Sequence, residues 1–158
     1  MRVLLHRVDD RLIHGQVVLG WARRLGPEAL VVVDDRIAGD PWERELLAAA
    51  TPPETPAAFL TVREAARSLA DGADPRSAFV LMENAETALR LAEAGFLVPA
   101  LNLGGVHRPG GRPVTPYLFL SEEDLSALRE LAARGVEIYA QDVPDGRRVD
   151  VLSFLGGR

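Results

Sequence analysis

Cysteine is absent from the 158 residues, and so is lysine. The first absence excludes disulfides and thiolate chemistry. The second excludes a lysine Schiff base and leaves phosphate contacts from cationic side chains to arginine, which binds oxyanions bidentately. No apolar run approaches the length of a membrane span. Excess positive charge is missing too: the formal net charge is −5, which argues against a nucleic-acid partner. The start, Met1-Arg2-Val3-Leu4-Leu5, reaches charge at once and lacks the form of a secretory signal, so a cytoplasmic location is expected. There is no repeat, low-complexity tract or linker, and the length fits one domain over residues 1–158.

Short apolar runs alternate with helical patterns. Strands are predicted at Val3–His6, Leu30–Val33, Ala57–Leu60, Phe79–Met82, Ala100–Leu103, Tyr117–Leu120 and Val136–Ala140. The run Leu30-Val31-Val32-Val33 is apolar throughout, as a strand buried on both faces is. Between the strands lie helix starts: Asp40 before Pro41, Thr61 with Glu64 as a capping box, Asn84, and Ser121 before an acidic turn. Gly72, Gly95 and Gly135 supply the stops. The alternation predicts an α/β fold, a doubly wound and mostly parallel sheet with helices on both faces. Sites in such folds lie at the carboxyl ends of strands.

The loop expected after the first strand, Arg7-Val8-Asp9-Asp10-Arg11-Leu12-Ile13-His14, is rich in charge beside a buried strand. From Gly15 the pattern turns helical, with Val17, Val18, Trp21 and Leu25 spaced to face the core. His14 is thus expected at a helix start, where free N–H groups and the helix dipole favour an anion. Neutral imidazole is a competent nucleophile near pH 7. Arg11 can close over phosphoryl oxygens, and Asp9 or Asp10 can orient the imidazole or hold Arg11. Gly15, Gln16 and Arg7 are expected to add phosphate contacts. The spacing alone leaves a second reading open, a surface turn in which Asp10 caps the helix and Arg7 and Arg11 pair with acids.

The segment Arg7–Val17 resembles the active-site signature of the IIB subunits of the mannose/fructose/sorbose family of the bacterial sugar phosphotransferase system. The similarity continues through Val31–Asp35, Ala38–Asp40, Ala50–Pro53, Asn102-Leu103-Gly104-Gly105 and Arg134–Glu137. The resemblance implies that His14 is phosphorylated on Nδ1 by a IIA phosphohistidine, with Arg11 contacting the phosphoryl group and Asp9 in the same loop. It implies a phosphohistidine–sugar phosphotransferase subunit that hands the group to a sugar held by membrane IIC and IID subunits. It also implies a location peripheral to that permease. The chemistry asks for no cofactor, nucleotide or metal, and a homo-oligomer is compatible with it. A regulatory phosphoprotein of the same fold, reporting sugar supply without transport, uses the same residues. A small-ligand binding domain without phosphoryl chemistry is a third reading.

Gly104, Gly105 and His107 follow the fifth strand and are expected to border the site; a solvent-facing loop histidine is the alternative for His107. His6 is read as structural, Asp34, Asp35 and Arg36 as helix-start or site-rim residues, Trp21 and Trp42 as packing residues, and Pro109–Pro113 as a mobile turn. Gly104-Gly105 and Gly110-Gly111 fit neither a dinucleotide fingerprint nor a Walker loop. A histidine-phosphatase reading fails because Ile13, not an arginine, precedes His14.

Overall fold

A computed structural model of the chain describes residues 1–156. Seven strands form the main sheet in the order β10-β9-β5-β1-β4-β2-β3. They are β1 (Arg2–Val8), β2 (Ala29–Val33), β3 (Ala57–Leu60), β4 (Ser77–Met82), β5 (Ala100–Leu103), β9 (Glu137–Ala140) and β10 (Val149–Asp150). Every pairing is parallel except that of β10 with β9. Three further strands, β6 (Val106–His107), β7 (Arg112–Thr115) and β8 (Leu118–Leu120), make a separate small sheet.

The central strands are apolar on both faces because both faces are covered. Ala29, Val31 and Val33 enter one core cluster with Ala78, Val80 and Met82. Leu30 and Val32 enter the other with Phe79 and Leu81. This is the two-residue strand period split between two cores. Helices α4 (Val62–Asp71), α5 (Ala85–Glu93) and α6 (Glu122–Ala133) cover the first face. The second face is covered by α1, which begins as a π-helix over Gln16–Ala22 and closes as an α-turn over Arg23–Leu25. Ile37 of α2 (Asp35–Ala38) and Leu47 of α3 (Pro41–Ala49) join it there, and α7 (Leu152–Gly156) packs on the first face through Leu155. The predicted mostly parallel α/β sheet with helices on both faces is therefore the observed fold. No helix among the described residues is long and apolar enough to cross a membrane.

The caps formed where the sequence placed them. Asp40 accepts from the N–H groups of Trp42 and Glu43, Asn84 accepts from Thr87, and Thr61 and Ser121 form reciprocal capping boxes with Glu64 and Asp124. Gly72, Gly95 and Gly135 all have positive φ beyond the helix ends.

Several expectations need correction. Arg7 belongs to β1 rather than to the following loop, because its backbone pairs with Leu81 and Asn102 on either side. The strand predicted at Tyr117–Leu120 is β8 and pairs with β6 and β7 instead of joining the main sheet. Pro109, Pro113 and Pro116 bar a crossover helix there, and the chain folds back on itself. The expected turn at Pro109–Pro113 overlaps β7. Trp42 is 74% exposed and Leu25 41% exposed, so neither is a core residue. Trp42 and Leu46 lie one turn apart on the outward side of α3, which buries no residue. The side chain of Val18 lies outside the described set. Strand β10 and helix α7 had no predicted counterpart.

His6 is buried in β1, as a structural residue would be, and its Nε2 has no hydrogen-bond partner. Burial lowers its pKa from 6.5 to about 4. Between those values the unfolded chain binds the proton and the folded chain does not, so stability falls as the pH drops. The full difference is about 3 kcal/mol. We predict that His6→Leu flattens this slope; urea midpoints at pH 7 and pH 4.5 measure it, and an unchanged slope would assign the acid sensitivity elsewhere.

Candidate functional site

The candidate site lies where the chain connections diverge. From β1 the chain leaves to α1 on the second face, whereas the neighbouring strands β4 and β5 feed α5 and α6 on the first face. Divergence beside one strand opens a crevice at its carboxyl end. The loop there is anchored by its own middle: Leu12 and Ile13 are each 4% exposed and pack into the second core cluster. Leu12 holds a φ of 55°, the sole positive φ outside glycine among the described residues. A left-handed leucine costs about 1 kcal/mol or more, and here it turns its carbonyl towards His14 Nδ1 at 3.3 Å. A loop pinned in this way is not a free surface turn, although Arg7 and Arg11 do pair with an acid, Asp9, as the alternative reading expects.

Asp9 organises the charges. Its carboxylate is 1% exposed. It accepts from Arg7 Nη2 at 3.0 Å, from the Arg11 backbone N–H at 3.1 Å, from Arg11 Nε at 3.2 Å and from the Gly105 N–H at 3.2 Å. Burial alone would raise its pKa, but Arg7 and the hydrogen bonds from Arg11 outweigh that and hold it below the ordinary carboxylate value. His14 Nε2 is 3.8 Å from Asp9 Oδ2, and the ring is 15% exposed. Arg11, 44% exposed, also donates to Gln16 Oε1 at 3.2 Å.

His14 stands directly before the first turn of α1. Gly15 occupies the cap position with no side-chain hydrogen bond, and a Cβ placed on it would meet nothing within 4 Å. A π-helix bonds each residue to the fifth along, so the N–H groups of its first turn lack intrahelical partners. His14 directly precedes these donors and the open space at Gly15, and it shares the Asp9 carboxylate with the guanidinium of Arg11. The arrangement suits an oxyanion held next to a ring nitrogen.

The other predicted residues are placed as follows. Asp10 neither caps the helix nor touches His14; it accepts from the His107 N–H at 2.8 Å and faces His107 Nδ1 at 3.3 Å. It therefore ties the loop to the segment after β5. His107 borders the site with its side chain 52% exposed. Gly105 lies between His107 and Arg11, since a Cβ there would sit 3.0 Å from the first and 3.1 Å from the second. Gly104 lies flat on Arg7, where a Cβ would fall 2.1 Å from the guanidinium.

Arg7 is the clear correction. It was expected to touch phosphate, yet it is 0% exposed. Its guanidinium donates to Asn102 Oδ1, the Gln141 and Asp142 carbonyls and Asp9, and it lies 5.4 Å from the Trp21 ring. It has no face open to a ligand. Asn102, Gln141, Asp142 and Trp21, whose Nε1 donates to the Asp142 carbonyl at 2.9 Å, were not predicted as site residues. Asn102 carried a signal, an amide inside a short buried strand, two residues before a pair of glycines. The two carbonyls carried none, because any residue supplies one.

Fold and site thus define a mostly parallel α/β domain with a histidine and a half-exposed arginine on one buried carboxylate at its topological switch point. Residues 3–158 match the family profile of the sorbose-subfamily IIB component of the phosphotransferase system, and the chain belongs to that family. It is 30% identical to the N-acetylgalactosamine-specific phosphotransferase enzyme IIB component 1 of Escherichia coli K12, over 94% of this chain and 96% of that protein. It is 32% identical to the mannose-specific EIIAB component of the same strain, over 98% of this chain but 49% of that protein. The crystal structure of the IIBSor domain of the sorbose permease from Klebsiella pneumoniae superposes with a TM-score of 0.86. That match is at 30% identity and covers 99% of this chain and 98% of the other. Membership places the chain among the phosphotransferase components of sugar uptake.

Proposed function

We propose that His14 takes a phosphoryl group from a phosphohistidine of a IIA partner and passes it to a sugar presented by membrane IIC and IID partners. The observation that carries this reading is the placement of His14: an imidazole at an uncapped helix start, with Arg11 and the Asp9 carboxylate around it. The similarity to a mannose-specific EIIAB component, a protein longer than this chain, supports a IIA link.

In the first step the donor's N–P bond breaks as the bond to His14 forms, and the donor imidazole leaves with its lone pair. The Leu12 carbonyl only accepts, so its 3.3 Å contact with Nδ1 belongs to the Nδ1–H form of the ring. For attack that contact must break and the proton must sit on Nε2, on the side of Asp9, which leaves the lone pair on Nδ1. The phosphorylated ring is then cationic at Nε2–H, and Asp9 stabilises it. Arg11 and the first N–H groups of α1 hold the phosphoryl oxygens. In the second step the bond from His14 to phosphorus breaks as the sugar oxygen bonds to phosphorus. The released imidazole can take the hydroxyl proton. Catalysis is mainly positioning and charge stabilisation. The relatives' names span N-acetylgalactosamine, fructose, sorbose and mannose, so the sugar is not assigned.

Incubation with a phosphorylated IIA protein is expected to add one phosphoryl group that survives base and is lost in acid. Peptide mapping under alkaline conditions should locate it on His14. A label on any other residue would overturn the reading.

A further inference from the structure

Asp9 has more counter-charge than one carboxylate needs. Arg7 and Arg11 both donate to it, and they differ in freedom. Arg7 is wholly buried, held by Asn102 and two main-chain carbonyls, with Gly104 lying against it. Arg11 is 44% exposed, and its one other side-chain bond is to Gln16. We propose that Arg7 is a positioning residue for phosphoryl transfer that acts through Asp9: it is the permanent counter-ion that lets Arg11 leave Asp9 for the phosphoryl group. The inference rests on the reading of His14 as phosphoryl acceptor.

When the Arg11 side chain departs, Asp9 keeps Arg7 Nη2, the Gly105 N–H and the Arg11 backbone N–H. The buried carboxylate stays paired, and departure costs little. Without Arg7, Arg11 is the sole cation hydrogen-bonded to Asp9 before transfer. Its departure then leaves the buried carboxylate only the His14 ring, 3.8 Å away and beyond hydrogen-bond distance, which is strongly unfavourable. Arg11 is locked in place and the phosphoryl group lacks its clamp. Arg7 also offsets the approach of the phosphoryl charge to Asp9, 3.8 Å from the ring.

The test uses phosphoramidate as a small donor: its P–N bond breaks, the bond to His14 forms and ammonia leaves. Initial rates of His14 labelling are compared for wild type, Arg7→Gln, Arg11→Ala and the double variant, each normalised to folded protein. Arg7→Gln is expected to slow labelling about 10–100-fold, as loss of a supporting partner does. In the Arg11→Ala background the same change should cost no more than about twofold, because the two act through one step. Arg7→Gln should also shift the acid limb of the rate profile to higher pH, since Asp9 then protonates more easily. Arg7→Lys keeps the charge and covers the case in which Arg7→Gln does not fold; it should retain a rate within about tenfold of wild type and its dependence on Arg11. Equal losses in both backgrounds, an unmoved acid limb, or a lysine variant that no longer responds to Arg11→Ala would overturn the inference while leaving His14 as acceptor. Undiminished label in His14→Ala would overturn the acceptor reading and this inference together.

Discussion

His14→Ala is expected to abolish stable phosphorylation, a loss of more than about a thousandfold, the scale on which removal of a covalent nucleophile is felt. The chain offers two other imidazoles, and the structure separates them. His6 is 8% exposed inside β1, so a donor cannot reach it. His107 is 52% exposed, but its Nδ1 faces Asp10, and it lies in β6 instead of at a helix start. Neither has an arginine on a shared buried carboxylate. The variant should still fold, because the ring contributes one long contact to Leu12 and one ion-pair distance to Asp9, a change of about 1 kcal/mol. Intact mass at alkaline pH after incubation with phospho-IIA measures the loss, and circular dichroism checks the fold. Residual label removed by His107→Gln would move the acceptor to His107.

Much of the fold was legible because local and global signals agreed. The capping residues, the glycine stops and the fully apolar strands each point to one element, and the structure contains each of them. What escaped was decided by tertiary context. The strands β6, β7 and β10 are two to four residues long and carry no period that a pattern could reveal. Trp42 sits on a genuine helical stripe with Leu46, but periodicity does not say which stripe meets the sheet. The π-helical start of α1 alters the spacing that placed Leu25 inwards, since residues five apart are bonded there instead of four.

The site was legible in its residue types and less so in their layers. A polar run ending in His-Gly after a strand places an imidazole at a helix start, and the structure puts His14 there. Spacing could not divide the two aspartates. Asp9 points inward to two arginines, whereas Asp10 points outward to His107, as successive side chains leaving a strand do. Nor could it show that Arg7 lies beneath the loop, because a charge next to a strand end is exposed far more often than buried. Gly104, whose missing Cβ makes room for that guanidinium, and Asn102, which accepts from it, mark the place in sequence.

The largest stability effect is expected from Asp9→Ala, about 3–5 kcal/mol, because it breaks a buried ion pair from one side. Arg7 would keep its charge with no exposure and lose its only buried anionic partner; the Asp142 carboxylate is 3.9 Å away and 29% exposed. The Gly105 and Arg11 N–H groups would lose their acceptor as well. Asp9→Asn should not rescue the loss fully, since its amide nitrogen would place a donor against donors on one side. Urea midpoints at constant slope measure the change. Its pH dependence tests the cause. Asp9 has a depressed pKa, so its contribution is present above the ordinary carboxylate value and is lost as the pH falls through the lower, folded one. The gap between wild type and Asp9→Ala should therefore narrow at strongly acid pH. The His6 effect acts on both proteins between pH 6.5 and about 4 and cancels in the difference. A gap that stays constant into acid would mean that Asp9 stabilises by shape rather than by charge, and Arg7 would then need another counter-ion.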